Sequence, residues 1–203
     1  MKKITFLRHA SITGNPGAEY ENTSFDKLND LATLKHDPGI SSIDTRNKLL
    51  ENNKIYNYQL LLHGPSKRAM QTARIISKIG DKRIKSVKNN NLREIRFTPK
   101  KLITQDEYIK NGMPILREKL FKSILSDRKN SESLTRIIKR VQKLEQQLGK
   151  YKELNIICIT NGFYMRFLYL YFVKNKKEVN QFNMSIILKA PNFSNLSSFT
   201  INI

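Results

Sequence analysis

Ile4-Thr5-Phe6-Leu7-Arg8-His9-Ala10 is the stretch that decides the fold, because an apolar run leads directly into an Arg-His pair. A continuous apolar run predicts a buried strand of a parallel sheet. Arg8 and His9 would then lie at the carboxyl end of that strand, where open α/β sheets bind their ligands. A guanidinium binds phosphate oxygens bidentately, and an imidazole acts as acid, base or nucleophile near neutral pH. An Arg-His pair in a solvated loop is the alternative interpretation. The rest of the sequence has to discriminate between such a loop and a phosphate site.

The composition is that of a globular chain with a large excess of positive charge. The 203 residues are 39% hydrophobic, enough to build the core of one domain, and the net charge is +20. This charge predicts attraction to polyanions such as nucleic acid, anionic membranes, phosphoproteins or phosphorylated metabolites. The abundance of Lys, Asn and Ile also fits a biased coding composition, so a functional role for the charge stays open.

The single cysteine and the first residues of the chain are used to predict the cellular compartment of the protein. Cys158 lies in an apolar run and has no second cysteine to form an internal disulfide. The residues after Met1 lack the apolar core of a signal peptide, and no run of about 18 apolar residues suggests a membrane span. The sequence therefore predicts a cytoplasmic protein without a membrane span.

Strand-like and helix-like segments alternate along the chain. Apolar runs predict further strands at Tyr58–His63, Ile84–Val87, Asn155–Thr160, Met184–Leu188 and Ser197–Ile203. Helical spacing and capping residues predict helices at Glu19–Leu34, Ser41–Asn52, Pro65–Ile79 and Phe163–Phe172, and a further helix that begins at Ser131 or Ser133 and ends at Gly149. This alternation predicts an α/β fold, a three-layer sandwich with a mostly parallel central sheet and helices on both faces. No repeat or linker divides the chain, so residues 1–203 are predicted to form a single domain.

Residues 98–130 depart from this alternation. The pattern there is irregular, with a helical segment near Ile115–Leu125. Loops on a rigid α/β scaffold usually carry specificity, so this segment is predicted to be a cap or lid over a site. Its lysines Lys100, Lys101 and Lys110 would favour multiply charged substrates.

Six segments stand out along the chain: Phe6–Ala10 with Asn15 downstream, Asp37–Ser41, Pro65–Ala73, Leu92–Ile95, Ile157–Gly162 and Asn195–Phe199. In their order and spacing they resemble the motifs of the histidine phosphatase superfamily, whose fold is phosphoglycerate-mutase-like. The most specific match is Pro65–Ala73, which is very similar to the second motif of the family. Ala10 stands where the opening motif usually has glycine.

The resemblance implies a phosphoryl-transfer site that needs neither metal nor cofactor. His9 would attack phosphorus and carry a phosphohistidine, while Arg8 and Arg68 would bind the phosphoryl oxygens. Asn15 lies in the loop that follows the first predicted strand, so its position alone predicts a further donor to the same anion. Glu94 would protonate the leaving oxygen and then activate water. Positively charged donors in fixed positions carry out most of the work of such a transfer.

One position departs from the family pattern. Asn161 stands where the resemblance implies a second histidine, and an amide donates a hydrogen bond but carries no charge. Three explanations stay open: a pseudoenzyme that keeps the phosphate site, an enzyme with a substitute donor, or an altered sequence. His63, at the end of a predicted strand, is a candidate substitute donor, or a rim residue without a role.

Three functions follow from these observations. The first is a metal-independent phosphomonoester hydrolase acting through His9, with activity reduced by Asn161. The alternative is an inactive relative that binds a phosphorylated small molecule or a phosphoprotein through the same residues. The third, nucleic-acid binding, is the least supported, because the basic residues are scattered and no zinc-binding, RNP-type or helix-turn-helix signature is present.

Overall fold

The computed structural model describes residues 1–12, 24–33, 35–51, 57–79, 84–127 and 129–203. Asn15 lies outside the described residues, as do residues 19–23 and 34 of the helix predicted at 19–34. No helix in the described ranges is both long enough and apolar enough to cross a membrane.

The described residues form one five-stranded sheet. The strands are β1 (Lys3–Arg8), β2 (Leu60–His63), β3 (Lys85–Lys88), β4 (Asn155–Thr160) and β5 (Ser198–Asn202). Three neighbouring pairs, β3 with β2, β2 with β4 and β4 with β1, run parallel, and β5 pairs antiparallel with β1 at one edge. The mostly parallel sheet predicted from the apolar runs is therefore confirmed.

Helices pack on both faces of this sheet. In the described ranges they are α1 (Phe25–Ala32), α2 (Ser42–Glu51), α3 (Lys67–Ile79), α4 (Gln105–Leu125), α5 (Leu134–Lys150), α6 (Gly162–Phe172) and α7 (Met184–Lys189). On one face, Leu7 and Leu61 pack with Ala69, Ala73 and Ile76 of α3. The other face forms the larger core, with the side chains of alternate strand residues packed against α4, α5 and α6. Each fully buried Leu, Ile or Phe side chain contributes roughly 1.5–3 kcal/mol relative to an exposed one.

The helix predicted to begin at Ser131 or Ser133 and to end at Gly149 is present as α5. The Ser133 hydroxyl accepts a hydrogen bond from the Arg136 amide, so Ser133 is its N-cap. The apolar stripe that predicted the helix is buried: Leu134, Ile137, Ile138, Val141, Leu144 and Leu148.

The strand predicted at Met184–Leu188 is wrong, because these residues form α7. The Asn183 side chain accepts a hydrogen bond from the Ile186 amide and so caps a helix start. The Arg166 guanidinium binds the carbonyls of Ile187 and Ala190 at the other end. A short apolar run fits a strand or a buried helix equally well, and here the caps select the helix.

Residues 98–130 contain more helix than their sequence predicts. The helix α4 starts at Gln105, ten residues before the predicted segment, with Thr104 and Glu107 in a capping box. Gly112, at φ 61°, kinks it, and Pro114 follows. Glycine adopts this positive φ without the steric cost of a side chain, so the helix continues past an interruption that hides its periodicity.

Gly64, directly after β2, lets the segment carrying Leu92 cross the ends of the central strands. A Cβ at Gly64 would lie 2.6 Å from the Leu92 carbonyl oxygen. That same oxygen accepts a 2.7 Å hydrogen bond from the Thr160 hydroxyl at the end of β4. The position therefore has no room for a side chain unless the backbone shifts.

Replacing Gly64 with Ala should lower the free energy of unfolding by roughly 1–3 kcal/mol, the usual cost of overpacking. Gly149→Ala is the matched control, because a Cβ there meets nothing within 4 Å and the residue is helical. Its stability should be unchanged or raised by up to about 1 kcal/mol. Urea denaturation of the two variants tests this, and equal stability of Gly64→Ala and the natural protein would contradict it.

Candidate active site

Parallel pairing of β1 with β4 brings two buried polar side chains together. Arg8 pairs with Thr160 in the register, and the His9 amide donates a 3.0 Å hydrogen bond to the Thr160 carbonyl. His9 and Asn161 therefore leave adjacent strands at the same edge of the sheet. The two residues are 3% and 0% exposed, respectively. Asn161 is also the N-cap residue of α6.

Arg68 joins these two residues from the opposite side. Its Nε donates to His9 Nε2 at 3.1 Å and to Asn161 Oδ1 at 3.2 Å. Arg68 lies in the first turn of α3, which follows the next strand of the sheet. His9 and Asn161, which are 59 and 93 positions away from Arg68 in the chain, thus meet at its buried guanidinium.

The hydrogen bonds of His9 select its tautomer. Its Nδ1 lies 2.7 Å from the Ala10 carbonyl oxygen, which can only accept, so Nδ1 carries the proton. Burial lowers the pKa of His9 well below its ordinary value, and the charges of Arg68 and Arg8 lower it further. The ring is therefore neutral near pH 7, with the lone pair of Nε2 directed at Arg68.

The contact with Arg68 also orients the amide of Asn161. Because an arginine Nε–H can only donate, the amide atom facing it is Oδ1. Nδ2 is buried and makes no hydrogen bond to any residue that the structure describes. Asn161 can therefore offer two N–H donors to an anion beside His9.

Arg8 lies against the first turn of α6. Its Nη1 donates a 2.6 Å hydrogen bond to the Phe193 carbonyl, and a Cβ at Gly162 would lie 3.1 Å from its Nε. The absence of a side chain at Gly162 lets the guanidinium approach the helix start closely. Its charge is close enough to His9 to lower the pKa of that ring.

Glu94 binds the amino-terminal end of α6. Its carboxylate accepts hydrogen bonds from the amides of Tyr164 at 2.9 Å and Phe163 at 3.3 Å, and from that of Ile95 at 2.9 Å. Burial raises the pKa of Glu94, while these amides and the charge of Arg68 oppose the rise. The carboxyl group thus keeps its proton to a higher pH than a solvated glutamate does.

A buried ionic cluster fixes the segment that carries Glu94. Glu132 accepts two hydrogen bonds from Arg93, at 2.7 and 2.8 Å, and two from Arg140, at 3.0 and 3.1 Å. Arg140 Nη1 also donates to the carbonyls of Asn91 and Arg93. Burial alone would raise the pKa of Glu132. The hydrogen bonds and positive charges of the two arginines have the larger combined effect, so the pKa of Glu132 is lowered.

A cavity of about 130 Å³ opens beside Arg68 and Glu94. Its apolar wall includes Leu28, Leu31, Phe97, Met113 and Phe163. Asp37 also lines it, with Oδ1 3.6 Å from Arg68 Nη1 and Oδ2 2.6 Å from the Lys67 amide. The cavity accommodates a small, partly apolar group next to a guanidinium and a carboxyl.

Two of the predicted site residues, His63 and Lys100, make their described contacts away from His9. His63 Nδ1 donates to the Gly64 carbonyl, and the charges that act on its ring are those of Lys88 and Arg74. No described contact joins His63 to His9, Arg68 or Asn161. Lys100 forms an exposed ion pair with Asp26 of α1.

Asp37 and Glu132 are residues of the site that sequence reasoning missed. Asp37 lies in a Pro-Gly turn, where an aspartate needs no further explanation. Glu132 precedes a helix N-cap and carries no motif. Only the contacts with Arg68 and with Arg93 distinguish these carboxylates from solvated ones.

Comparison with known sequences and structures agrees with this architecture. A sequence model of the histidine phosphatase superfamily (branch 1) matches residues 37–188. No curated protein sequence matches the chain significantly. The chain belongs to the histidine phosphatase superfamily.

Solved structures with the same fold have low sequence identity to this chain. Bacillus stearothermophilus YhfR aligns with a TM-score of 0.69 at 15% identity, covering 100% of this chain and 92% of its own. A mycobacterial glucosyl-3-phosphoglycerate phosphatase aligns at 0.64 and 13%, covering 98% and 89%. Phosphoserine phosphatase from Entamoeba histolytica, solved with 3-phosphoglyceric acid, aligns at 0.57 and 18%, covering 98% and 90%.

Two buried histidines should make the free energy of unfolding fall as the pH drops below about 6.5, the pKa of an unfolded histidine. Burial lowers the pKa of both His9 and His63 in the folded chain, so in this window the unfolded chain binds more protons. The loss is at most about 1.4 kcal/mol per pH unit for each histidine. Urea denaturation at several pH values measures it.

His9→Gln should reduce that pH slope, whereas His36→Gln, at an exposed position, should leave it unchanged. The raised pKa of Glu94 has the opposite effect on stability. Its contribution to the free energy of unfolding falls as the pH rises from the pKa of an unfolded glutamate through the higher pKa of folded Glu94. Comparing the two histidine variants separates the His9 contribution. Identical slopes for both would show that His9 is not a buried neutral ring.

Replacing Glu132 with Gln leaves the buried Arg140 and the partly buried Arg93 without the carboxylate that both of them bind. We expect a loss on the order of 3–5 kcal/mol in the free energy of unfolding, the usual cost of breaking a buried ionic cluster. Glu118→Gln breaks an exposed pair with Lys122 and should leave the urea midpoint unchanged. Similar midpoints for the two variants would argue against a structural role of the cluster.

Proposed function

We propose that this protein hydrolyses phosphomonoesters through a phosphohistidine on His9. The observation that carries the proposal is the contact between Arg68 Nε and the unprotonated Nε2 of His9 at 3.1 Å. A neutral imidazole nitrogen is a nucleophile, and a guanidinium beside it can bind the oxygens of the group under attack. Membership of the superfamily and the phosphatases among its structural neighbours support the same chemistry.

In the first step, His9 Nε2 attacks phosphorus and the bond to the leaving oxygen breaks. Arg8 and Arg68 bind the phosphoryl oxygens, and Glu94 donates its proton to the leaving oxygen. In the second step, Glu94 takes a proton from water as that water attacks phosphorus, which releases inorganic phosphate and restores His9. The raised pKa of Glu94 suits an acid that must be protonated at the start of the cycle.

We propose that Asn161 donates to the phosphoryl group through Nδ2 but lowers the rate. A hydrogen bond from a charged donor contributes about 1.5–3 kcal/mol, against roughly 1 kcal/mol for a neutral one. Losing one donor that acts in the transition state typically costs on the order of 10²–10³ in rate. The unpartnered Nδ2 supports the donor role, and the lack of charge supports slow turnover.

We propose that residues 98–130 cap this site within a single domain of residues 1–203. Met113 of α4 lines the cavity beside Arg68, which supports the cap. The leaving group would occupy that cavity. Asn15 stays a prediction as a further phosphate donor.

The second candidate function is binding without turnover. In that case the same residues would hold a phosphorylated small molecule or a phosphoprotein, and Glu94 would serve only to cap α6. The three amide hydrogen bonds to its carboxylate favour this candidate, because they stabilise the ionised form. The modest volume of the cavity suits a small molecule better than a peptide.

Hydrolysis of p-nitrophenyl phosphate in EDTA tests the first candidate. We expect slow turnover by the natural protein and none by His9→Ala, because the nucleophile is lost. Asn161→His should raise the rate by roughly tens to hundreds of fold, because it restores a charged donor. Single-turnover rates and trapped phosphohistidine are the readouts.

Two further histidine variants complete the experiment. His36→Ala, at an exposed histidine, is the control and should behave like the natural protein. If His63→Ala abolishes turnover while Asn161→His gains nothing, His63 is the working donor. Phosphate binding without turnover in every variant would identify the protein as a binder.

A further inference from the structure

The cap helix α4 carries an arginine on the side that faces the site. Arg117 lies four residues after Met113, which lines the cavity, and four before Phe121, so the three share one side of the helix. The Phe121 ring packs edge-on against Phe163 at 6.2 Å between centroids. Phe163 follows Gly162, against which the Arg8 guanidinium packs. Arg117 is therefore directed toward the Arg8 side of the site.

Arg117 has no neutralising partner in the described part of the chain. Its Nε is buried and makes no hydrogen bond there, and no described carboxylate pairs with it. Burial lowers the pKa of Arg117, and so does the charge of Arg8. A partly buried cation beside other cations is unfavourable unless an anion binds among them.

The neighbouring arginine Arg166 is already engaged. Its guanidinium donates to the carbonyls of Ile187 and Ala190 and to Asn192 Oδ1. It therefore anchors the chain after α7, whereas the guanidinium of Arg117 makes no such described bonds. Of the two, only Arg117 can bind an added anion without breaking protein contacts.

We propose that Arg117 supplies a third guanidinium to a phosphoryl group held at Arg8, in place of the charge that Asn161 cannot provide. The inference rests on the proposed function, because it assigns a charge to the same phosphoryl site. It accounts for how a chain with Asn161 retains a strongly cationic site. It also makes the cap a part of the anion site.

A double-mutant comparison tests the compensation. In the natural background, Arg117→Met should lower kcat/KM for p-nitrophenyl phosphate by roughly 10–100-fold, and Arg117→Lys should lower it less. In an Asn161→His background, where the imidazolium supplies the charge, Arg117→Met should cost only about threefold. Arg136→Met removes an exposed arginine of α5 and should change neither rate.

Calorimetric titration with inorganic phosphate gives a second readout that does not need turnover. We expect Arg117→Met to bind phosphate more weakly than the natural protein and Arg136→Met to bind it equally. Arg117→Gln replaces Arg117→Met if circular dichroism shows that the latter is unfolded.

The outcomes separate this inference from the proposed function. Equal phosphate affinity with and without Arg117, or the same fold-loss of kcat/KM in both backgrounds, would overturn the role of Arg117 alone. A natural protein that neither binds phosphate nor hydrolyses the ester would overturn the proposed function as well.

Discussion

The parallel pairing of β1 with β4 is the constraint on which the rest of the site depends. It places His9 and Asn161 side by side at the carboxyl edge, although more than 150 residues separate them. The next strand, β2, leads into α3 and so delivers Arg68 to the same edge. Carboxyl ends of parallel strands converge in this way, and the packed helices on both faces hold them there.

Burial of Arg68 explains the electrostatics of the site. A guanidinium in a low-dielectric environment acts strongly on its neighbours, and it helps to keep His9 neutral. Asp37, 3.6 Å away, offsets part of that charge, and Asn161 adds none. At the proposed phosphoryl position, the net positive potential would therefore depend on Arg8 and, in our proposal, on Arg117 of α4.

Basic residues greatly outnumber acidic ones in this chain, and the few carboxylates have distinct structural roles. Two of them hold backbone or arginine groups in place: Glu132 between Arg93 and Arg140, and Glu94 at the start of α6. Glu132 holds the backbone that positions Glu94, so the acid of the proposed reaction depends on an ionic cluster behind it. Lys100 pairs with Asp26 at the surface, where solvent weakens the interaction.

Sequence alone determined the mostly parallel α/β sheet, most of its helices and the family, because apolar periodicity and motif order are local properties of the chain. The helix at Met184–Lys189 and the kinked start of α4 were decided by caps and by Gly112, which short apolar patterns do not reveal. The contacts of Asp37 and Arg117 exist only in the tertiary structure. Whether a charged side chain is solvated or buried against another charge is set by packing between distant segments, and no local pattern records it.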